Sequence, residues 1–411
     1  MPAFAASMFR HGRDRLMAAL LKRVLFRLHW ICGISAGLVL AVVGVTGATI
    51  AFETELLKLF NPALHVSAQG RGVPKAPDVL IAAARQAYPD YTARGIAWDG
   101  DDEPVVVRMA QGRERGGVQV AVDPYSGNVL GVPRGAKFFD AAEQLHRNLA
   151  AGPVGKQIVG ASTAMLVLLA LSGLYLRWVR RPRSLSAWFA FDLRLKGRAL
   201  LWRLHAVAGT WLLLFYLLAA LTGLWWSYDF YRDAVNRMAG VSTPARRPAP
   251  PANDAAALIP LDPAWLAFRA AVPDASRATL ALPSKSDAPL EIRYLTASSP
   301  HDRAFGTIKI DAASGEIVAR EPYAELPAGR RFVSSLFPLH SGSFFGTPGR
   351  ILVALAALLM PFFAITGIWI WMLRRQSESA RRVRAPEPAA ASVRARNKFV
   401  GAPAASDLRA P

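Results

Sequence analysis

Four apolar runs, each long enough to cross a bilayer, constrain this 411-residue chain more than any other feature. They cover approximately 30–52, 157–176, 206–227 and 351–373, and none contains a charged residue. The hydrocarbon core of a membrane takes about 20 helical residues. Buried helices of a large soluble protein are the competing explanation, but four uncharged runs of this length favour membrane spans. The first run is too long for a signal-peptide core and lacks a small-residue cleavage site, so it is expected to stay as an anchor. Cys32, the one cysteine, lies inside that run and reads as packing; it excludes an intrachain disulfide.

The formal net charge is +20, which on a soluble surface would suggest a nucleic-acid partner. Here the charge is localised. Before the first run stand Arg10, Arg13, Arg15, Lys22, Arg23 and Arg27 against Asp14. The connection after the second run carries Arg177, Arg180, Arg181, Arg183, Arg194, Lys196, Arg198 and Arg203 against Asp192, and the stretch after the fourth is similarly basic. The long connections, about 53–155 and 228–349, are nearly balanced. Positive residues stay on the cytoplasmic side, so both tails and the short middle loop are expected there, with the long segments outside. The basic excess is then a topology signal and a contact with anionic membrane lipid, with no nucleic-acid partner.

Internal spacing repeats. His29 precedes Gly47 of a V-T-G by 18 residues, and His205 precedes Gly223 of an L-T-G by the same 18. His146 and His340 precede Gly173 and Gly367 by 27 each. The long connections repeat as well. Segments 76–90 and 261–274 are amphipathic and end near proline. Stretches 104–109 and 289–295 are β-type, as are 117–132 and 306–320. The D-x-x-S-G cores, Asp123 to Gly127 and Asp311 to Gly315, predict hairpin turns. Each long connection therefore reads as a small α+β unit.

The expected division is a basic tail 1–23, a span 24–52, an outer domain 53–140, an outer histidine segment and span 141–178, and a loop 179–198. A span 199–228, an outer domain 229–335, and an outer histidine segment and span 336–375 follow. The Pro-rich stretch 242–254 reads as a linker, and the tail 376–411 as disordered.

Two histidine-bearing spans around a D-x-x-S-G hairpin domain, doubled, with an [ST]-G pair near the far end of every span, resemble the PepSY-associated transmembrane family over about 24–375. Within it the likeness is to bacterial inner-membrane ferric-siderophore reductases. The fold class expected is a membrane, all-α four-helix transmembrane bundle with two periplasmic α+β (PepSY-like) domains, internally duplicated, in the bacterial inner membrane with both termini cytoplasmic.

On this topology His29 and His205 lie near the inner face and His146 and His340 near the outer. A pair of imidazoles facing across a bundle suits six-coordinate heme iron. Two hemes are expected, one on His29 and His205, one on His146 and His340. With a single cysteine, covalent attachment through C-x-x-C-H is excluded, so both would be heme b. Gly33 and Gly209 follow their histidines by one turn and would leave room for a porphyrin. Arg27 and Arg203 beside the inner pair, and Lys156 and Arg350 beside the outer, fit either propionate partners or, for the first two, interfacial anchors. The [ST]-G pairs read as helix packing, with heme clearance second. Trp225, Trp226, Tyr228, Trp369 and Trp371 read as an aromatic belt, as do Trp178 and Trp188. His11, His65 and His301 have no repeat partner.

The resemblance implies an electron-transfer enzyme that reduces a periplasmic Fe(III)–siderophore and so releases Fe(II) for uptake. No Rossmann glycine fingerprint or flavin domain is present, so electrons would come from elsewhere: a quinol or a cytoplasmic flavoprotein or ferredoxin. Arg108, Arg113 and Arg115, or Arg330 and Arg331, either attract the anionic chelate or are solvated surface charge. The alternatives are a metal or siderophore permease and a non-catalytic envelope protein. A permease calls for polar or broken mid-membrane segments, and Pro361 is the one proline in the four runs.

Overall fold

The computed structural model describes residues 2–69, 72–111, 117–180, 184–242, 260–283 and 288–384. Three of the apolar runs form continuous helices: α1 (Pro2–Ile50), α5 (Gly152–Trp178) and α7 (Gly197–Ser227). The fourth, expected as one span, is divided into α11 (Gly346–Leu358) and α12 (Met360–Arg384). The break falls just before Pro361, which has no N–H for the carbonyl of Ala357 and whose ring crowds it. Neighbours cover the exposed backbone. Tyr216 donates its buried hydroxyl to the Ala356 carbonyl at 2.8 Å, and Gly44 of α1 lies so close to the Ala357 carbonyl that a Cβ there would collide with it. Compensation of this kind lets proline stand in a membrane helix.

Three single helices and the divided fourth span are long and apolar enough to cross a membrane, and the chain is a multi-pass membrane protein. α1 packs against α5 and α12, and α7 packs against the same two. α1 and α7 therefore face each other across the diagonal of the bundle. Leu38, Leu168, Leu214 and Leu352 are half or more exposed, as lipid-facing side chains are in a bundle without its lipid. α12 continues to Arg384, so 376–384 is helical where disorder is expected, with Arg374 paired to Glu378 one turn on at 2.8 Å. The remainder of that tail and most of the Pro-rich linker lie outside the described residues.

Each long connection contributes to the sheet region one helix and four antiparallel strands. The first supplies α3 (Pro77–Ala87), β1 (Thr92–Trp98), β2 (Val105–Ala110), β3 (Gly117–Val122) and β4 (Val129–Gly131). The second supplies α9 (Asp262–Ala271), β5 (Ala275–Ala281), β6 (Leu290–Thr296), β7 (Gly306–Ile310) and β8 (Ile317–Glu321). The two D-x-x-S-G segments are the β3–β4 and β7–β8 turns. In each, the aspartate side chain accepts backbone N–H groups two and three residues on, and the glycine takes a positive φ, +78° at Gly127 and +70° at Gly315.

The strands join in one eight-stranded sheet of order β4-β3-β2-β1-β5-β6-β7-β8. Segments 53–140 and 229–335 are thus not two separate layers. Their sheets meet at β1 and β5, with Gly95 opposite Ala281 and Trp98 opposite Ala278. Pairing removes one of the two open edges of each four-stranded sheet, leaving β4 and β8 as edges. One apolar core lies under α3 and α9, including Leu80, Ile81, Val107, Phe268, Leu280, Ile292 and Ile308.

Shorter helices connect sheet to bundle. α2 (Glu53–Phe60) and α8 (Asp229–Met238) lead away from α1 and α7, while α4 (Ala136–Asn148) and α10 (Ala328–Ser341) lead back towards α5 and α11. α4 packs on α1, and α10 on α7. Positive φ at Leu149 and Ala150 ends α4, and Gly342, at +81°, ends α10. At the opposite end of the bundle the middle connection folds α6 (Leu185–Phe189).

Candidate functional site: two histidine pairs

The structure brings the four histidines together in twos. His29 of α1 faces His205 of α7 with ring centres 6.4 Å apart. His146 of α4 faces His340 of α10 with ring centres 6.2 Å apart. Two imidazoles ligating one metal from opposite sides have ring centres about 6.2–6.4 Å apart, from metal–nitrogen bonds of about 2.0–2.1 Å and about 1.1 Å from nitrogen to ring centre. Both pairs have that separation.

Hydrogen bonds set the same tautomer in all four rings. His146 Nδ1 lies 2.9 Å from the Val43 carbonyl and His340 Nδ1 lies 3.0 Å from that of Ala219. A carbonyl only accepts, so Nδ1 carries the proton. His29 Nδ1 lies 2.9 Å from Ser172 Oγ, and His205 Nδ1 lies 2.8 Å from Thr366 Oγ1. Each hydroxyl already donates along its own helix, to the carbonyls of Leu168 and Phe362, and so accepts from the ring. Nε2 keeps its lone pair in every case, and no protein group bonds to it among the described residues. A neutral imidazole with Nδ1–H held by a partner is the form that ligates a metal.

The [ST]-G pairs are the seats of these rings, a role beyond helix packing. His29 rests on Ser172 and Gly173 of α5, and His205 on Thr366 and Gly367 of α12. His340 rests on Thr222 and Gly223 of α7, and His146 on Gly47 of α1. The spacings of 18 and 27 residues thereby acquire a meaning: His29 sits on the glycine that follows His146, and His146 on the glycine that follows His29. Gly47 lies 18 residues beyond His29, about 27 Å along an α-helix. The two pairs therefore stand near opposite ends of the spans.

Of the cations expected beside the pairs, two are engaged elsewhere. Arg203 donates to the carbonyls of Ser186, Ala187 and Ala190 at 2.8–3.1 Å, fastening the α6 segment. Arg350 forms a two-pronged ion pair with Glu55, both contacts 2.7 Å, and also bonds the Ala51 carbonyl. Arg27 is exposed on α1 and Lys156 half-buried on α5, with no polar partner for either among the described residues. Gly33 and Gly209 are not crowded: a Cβ there would meet Leu169 at 3.7 Å and Phe363 at 3.6 Å. Arg330 pairs with Glu321 at 3.3 Å, Arg108 and Arg331 are exposed, and Arg113 and Arg115 lie outside the described residues.

Two further residues belong to the surroundings. Trp226, expected in an aromatic belt, packs on His340 with ring centres 5.7 Å apart. His301 is buried where the sheet meets α10, its Nε2 within 3.1 Å of the Tyr323 hydroxyl and 3.0 Å of Ser335 Oγ. Burial holds His301 below the usual histidine range. Neither role has a sequence signal, because neither residue recurs at a matched position.

Among the described residues no cluster of three or more His, Cys, Asp or Glu stands together. Each pair offers two imidazoles as protein ligands and leaves the remaining coordination positions to other donors. That donor set fits an iron porphyrin, which would need only two ligands from the protein. It does not fit a bare ion in an all-protein site, which takes three or four protein ligands. The family model described as PepSY-associated TM region matches residues 26–374. No curated protein matches the chain.

Proposed function

The chain belongs to the PepSY-associated TM region family, and from that premise we propose that it is a di-heme transmembrane electron-transfer protein that reduces a periplasmic Fe(III)–siderophore. The paired histidines, at the spacing of axial ligands and all in the Nδ1–H tautomer, are the observation that carries the reading. On it the chain is an internal duplication in the bacterial inner membrane. Basic tails and the α6 loop face the cytoplasm, and the joined sheet faces the periplasm.

His29 with His205, and His146 with His340, would each hold one heme b, which when bound supplies one-electron transfer. The residues of the chain do the rest. Ser172, Thr366 and the carbonyls of Val43 and Ala219 keep each ring oriented and its Nε2 basic. With two imidazoles bound to each heme, no position would be left for oxygen. The two pairs, about 27 Å apart along α1, cover most of a hydrocarbon thickness of about 30 Å. Exposed Arg108 and Arg331 on the sheet side would attract an anionic chelate. The reductant, a quinol or a cytoplasmic electron carrier, would act from the tail side. Fe(III) held by hard oxygen donors loses affinity on becoming Fe(II), so one electron suffices for release. The broken fourth span is the feature that favours a permease instead, but Tyr216 and Gly44 close that break against α7 and α1.

The test is direct. Detergent-purified protein from heme-replete cells, reduced with dithionite and freed of excess, is mixed with an Fe(III)–siderophore and an Fe(II)-specific chromogenic chelator. Reoxidation of the heme spectrum with stoichiometric Fe(II) is expected. A reduced spectrum that persists, with no Fe(II), contradicts the reductase reading.

A further inference from the structure

We infer that the tail-side end of the bundle carries an oxyanion-binding pocket, formed by Arg177, Arg180 and Trp202, that takes one carboxylate or phosphate group. Arg177, near the end of α5, is only 5% exposed. Its Nη2 donates to the carbonyls of Ala187 at 2.7 Å and Trp188 at 2.6 Å. Its Nε and Nη1 are buried and have no partner among the described residues. A buried guanidinium with unused N–H groups is destabilising unless an acceptor completes it.

A cavity adjoins this guanidinium. A pocket of about 190 Å³ is lined by Arg177, Arg180, Ala187, Trp202 and Arg203, and no acidic side chain lines it among the described residues. Arg180 lies over the Trp202 ring at 4.2 Å and Arg177 over Trp188 at 5.1 Å. Stacking holds each guanidinium by its face and leaves N–H groups at its edge for an acceptor. Arg203, tied to carbonyls, adds charge to the wall. Three cations against a backbone of carbonyls, one of them with donors to spare, select an oxyanion over a neutral ligand.

Two sources supply such a group at this depth. Arg177 lies one turn beyond Gly173, the seat of His29, and Trp202 and Arg203 shortly precede His205. A heme propionate at the tail-side pair is one source, and this source alone rests on the di-heme reading. The phosphate of an anionic phospholipid at the interface is the other.

The experiment uses the full chain in detergent, as wild type, Arg177→Gln, Arg180→Gln and the exposed control Arg23→Gln. Native mass spectrometry measures retention of added phosphatidylglycerol against phosphatidylcholine, and a spectroelectrochemical titration at pH 6 and pH 8 follows the tail-side heme. A loss of phosphatidylglycerol retention of about tenfold in both pocket variants, with the heme unchanged, identifies a lipid phosphate. A shifted midpoint potential with altered pH dependence, and lipid retention unchanged, identifies a propionate. Both readouts unchanged in both variants overturn the pocket. A colourless protein overturns the heme reading alone, and lipid retention then decides the pocket. If Arg177→Gln does not fold, the same two readouts on Arg180→Gln decide between these outcomes.

Discussion

The imidazole of His146 rests on Gly47 of α1, where the Cβ of any other residue would stand 2.8 Å from its Cε1. The corresponding distance from Gly367 to His205 is 3.8 Å, an ordinary contact. Gly47→Ala should therefore push His146 from its seat, at a cost of about 1–3 kcal/mol for overpacking, and remove the sheet-side heme. Gly367→Ala should keep the tail-side heme. The heme-to-protein ratio and the reduced-minus-oxidised spectrum of the two variants check this asymmetry.

Ser172 and Thr366 hold the Nδ1 protons of His29 and His205. Ser172→Ala and Thr366→Ala should each weaken retention of the tail-side heme by about 10–100-fold, read as faster transfer of heme to an acceptor apoprotein. Ser35→Ala is the control. Its hydroxyl bonds the Ile31 carbonyl within α1, and heme retention should not change.

Much of this is legible in the sequence, for identifiable reasons. Uncharged runs of about 20 residues define spans whatever surrounds them. The histidines stand out because two spacings recur, and the D-x-x-S-G turns because aspartate and glycine act locally. The joining of the sheet is not legible. β1 reads TARGIAW and β5 reads ASRATLA, with little alternation and several weak strand formers; they pair because each is the open edge of its own sheet. Partners of arginines are equally hidden. Arg203 and Arg350 lie near histidines in the sequence, yet Arg350 finds Glu55, 295 residues away. The seating of rings on [ST]-G pairs needs two helices side by side, which no single segment encodes.

Tyr216 covers the backbone left open by Pro361. Tyr216→Phe should lower stability by about 0.6 kcal/mol, the average for hydrogen bonds between membrane helices, and by no more than about 1.7 kcal/mol, while both hemes are retained. A thermal melt in detergent followed by near-ultraviolet circular dichroism measures the first, and the absorption spectrum the second. A loss of heme in Tyr216→Phe would show that the break is part of the site.

The Glu55–Arg350 ion pair ties α11 to α2. The hydrogen bond from Arg350 holds the Glu55 carboxyl below its ordinary value of 4.5. A lowered folded-state value means that the pair stabilises above pH 4.5 and loses that contribution as pH falls through the folded value. Glu55 is 53% exposed, so solvent limits the gain to about 1 kcal/mol or less. Glu55→Gln should melt slightly below wild type at pH 7, and the gap should narrow as pH falls below 4.5. A difference that does not change with pH would assign the effect to something other than ionisation.

The pairing of histidines across the two halves is tested most directly by counting low-spin hemes in single variants. Electron paramagnetic resonance and heme quantitation on His29→Ala, His205→Ala, His146→Ala and His340→Ala should give two hemes in wild type and one in each variant. His29→Ala and His205→Ala should lose the same signal and keep the other, and His146→Ala and His340→Ala should do the reverse. Loss of one shared signal by His29→Ala and His146→Ala, or a protein that binds no heme at all, would contradict the account.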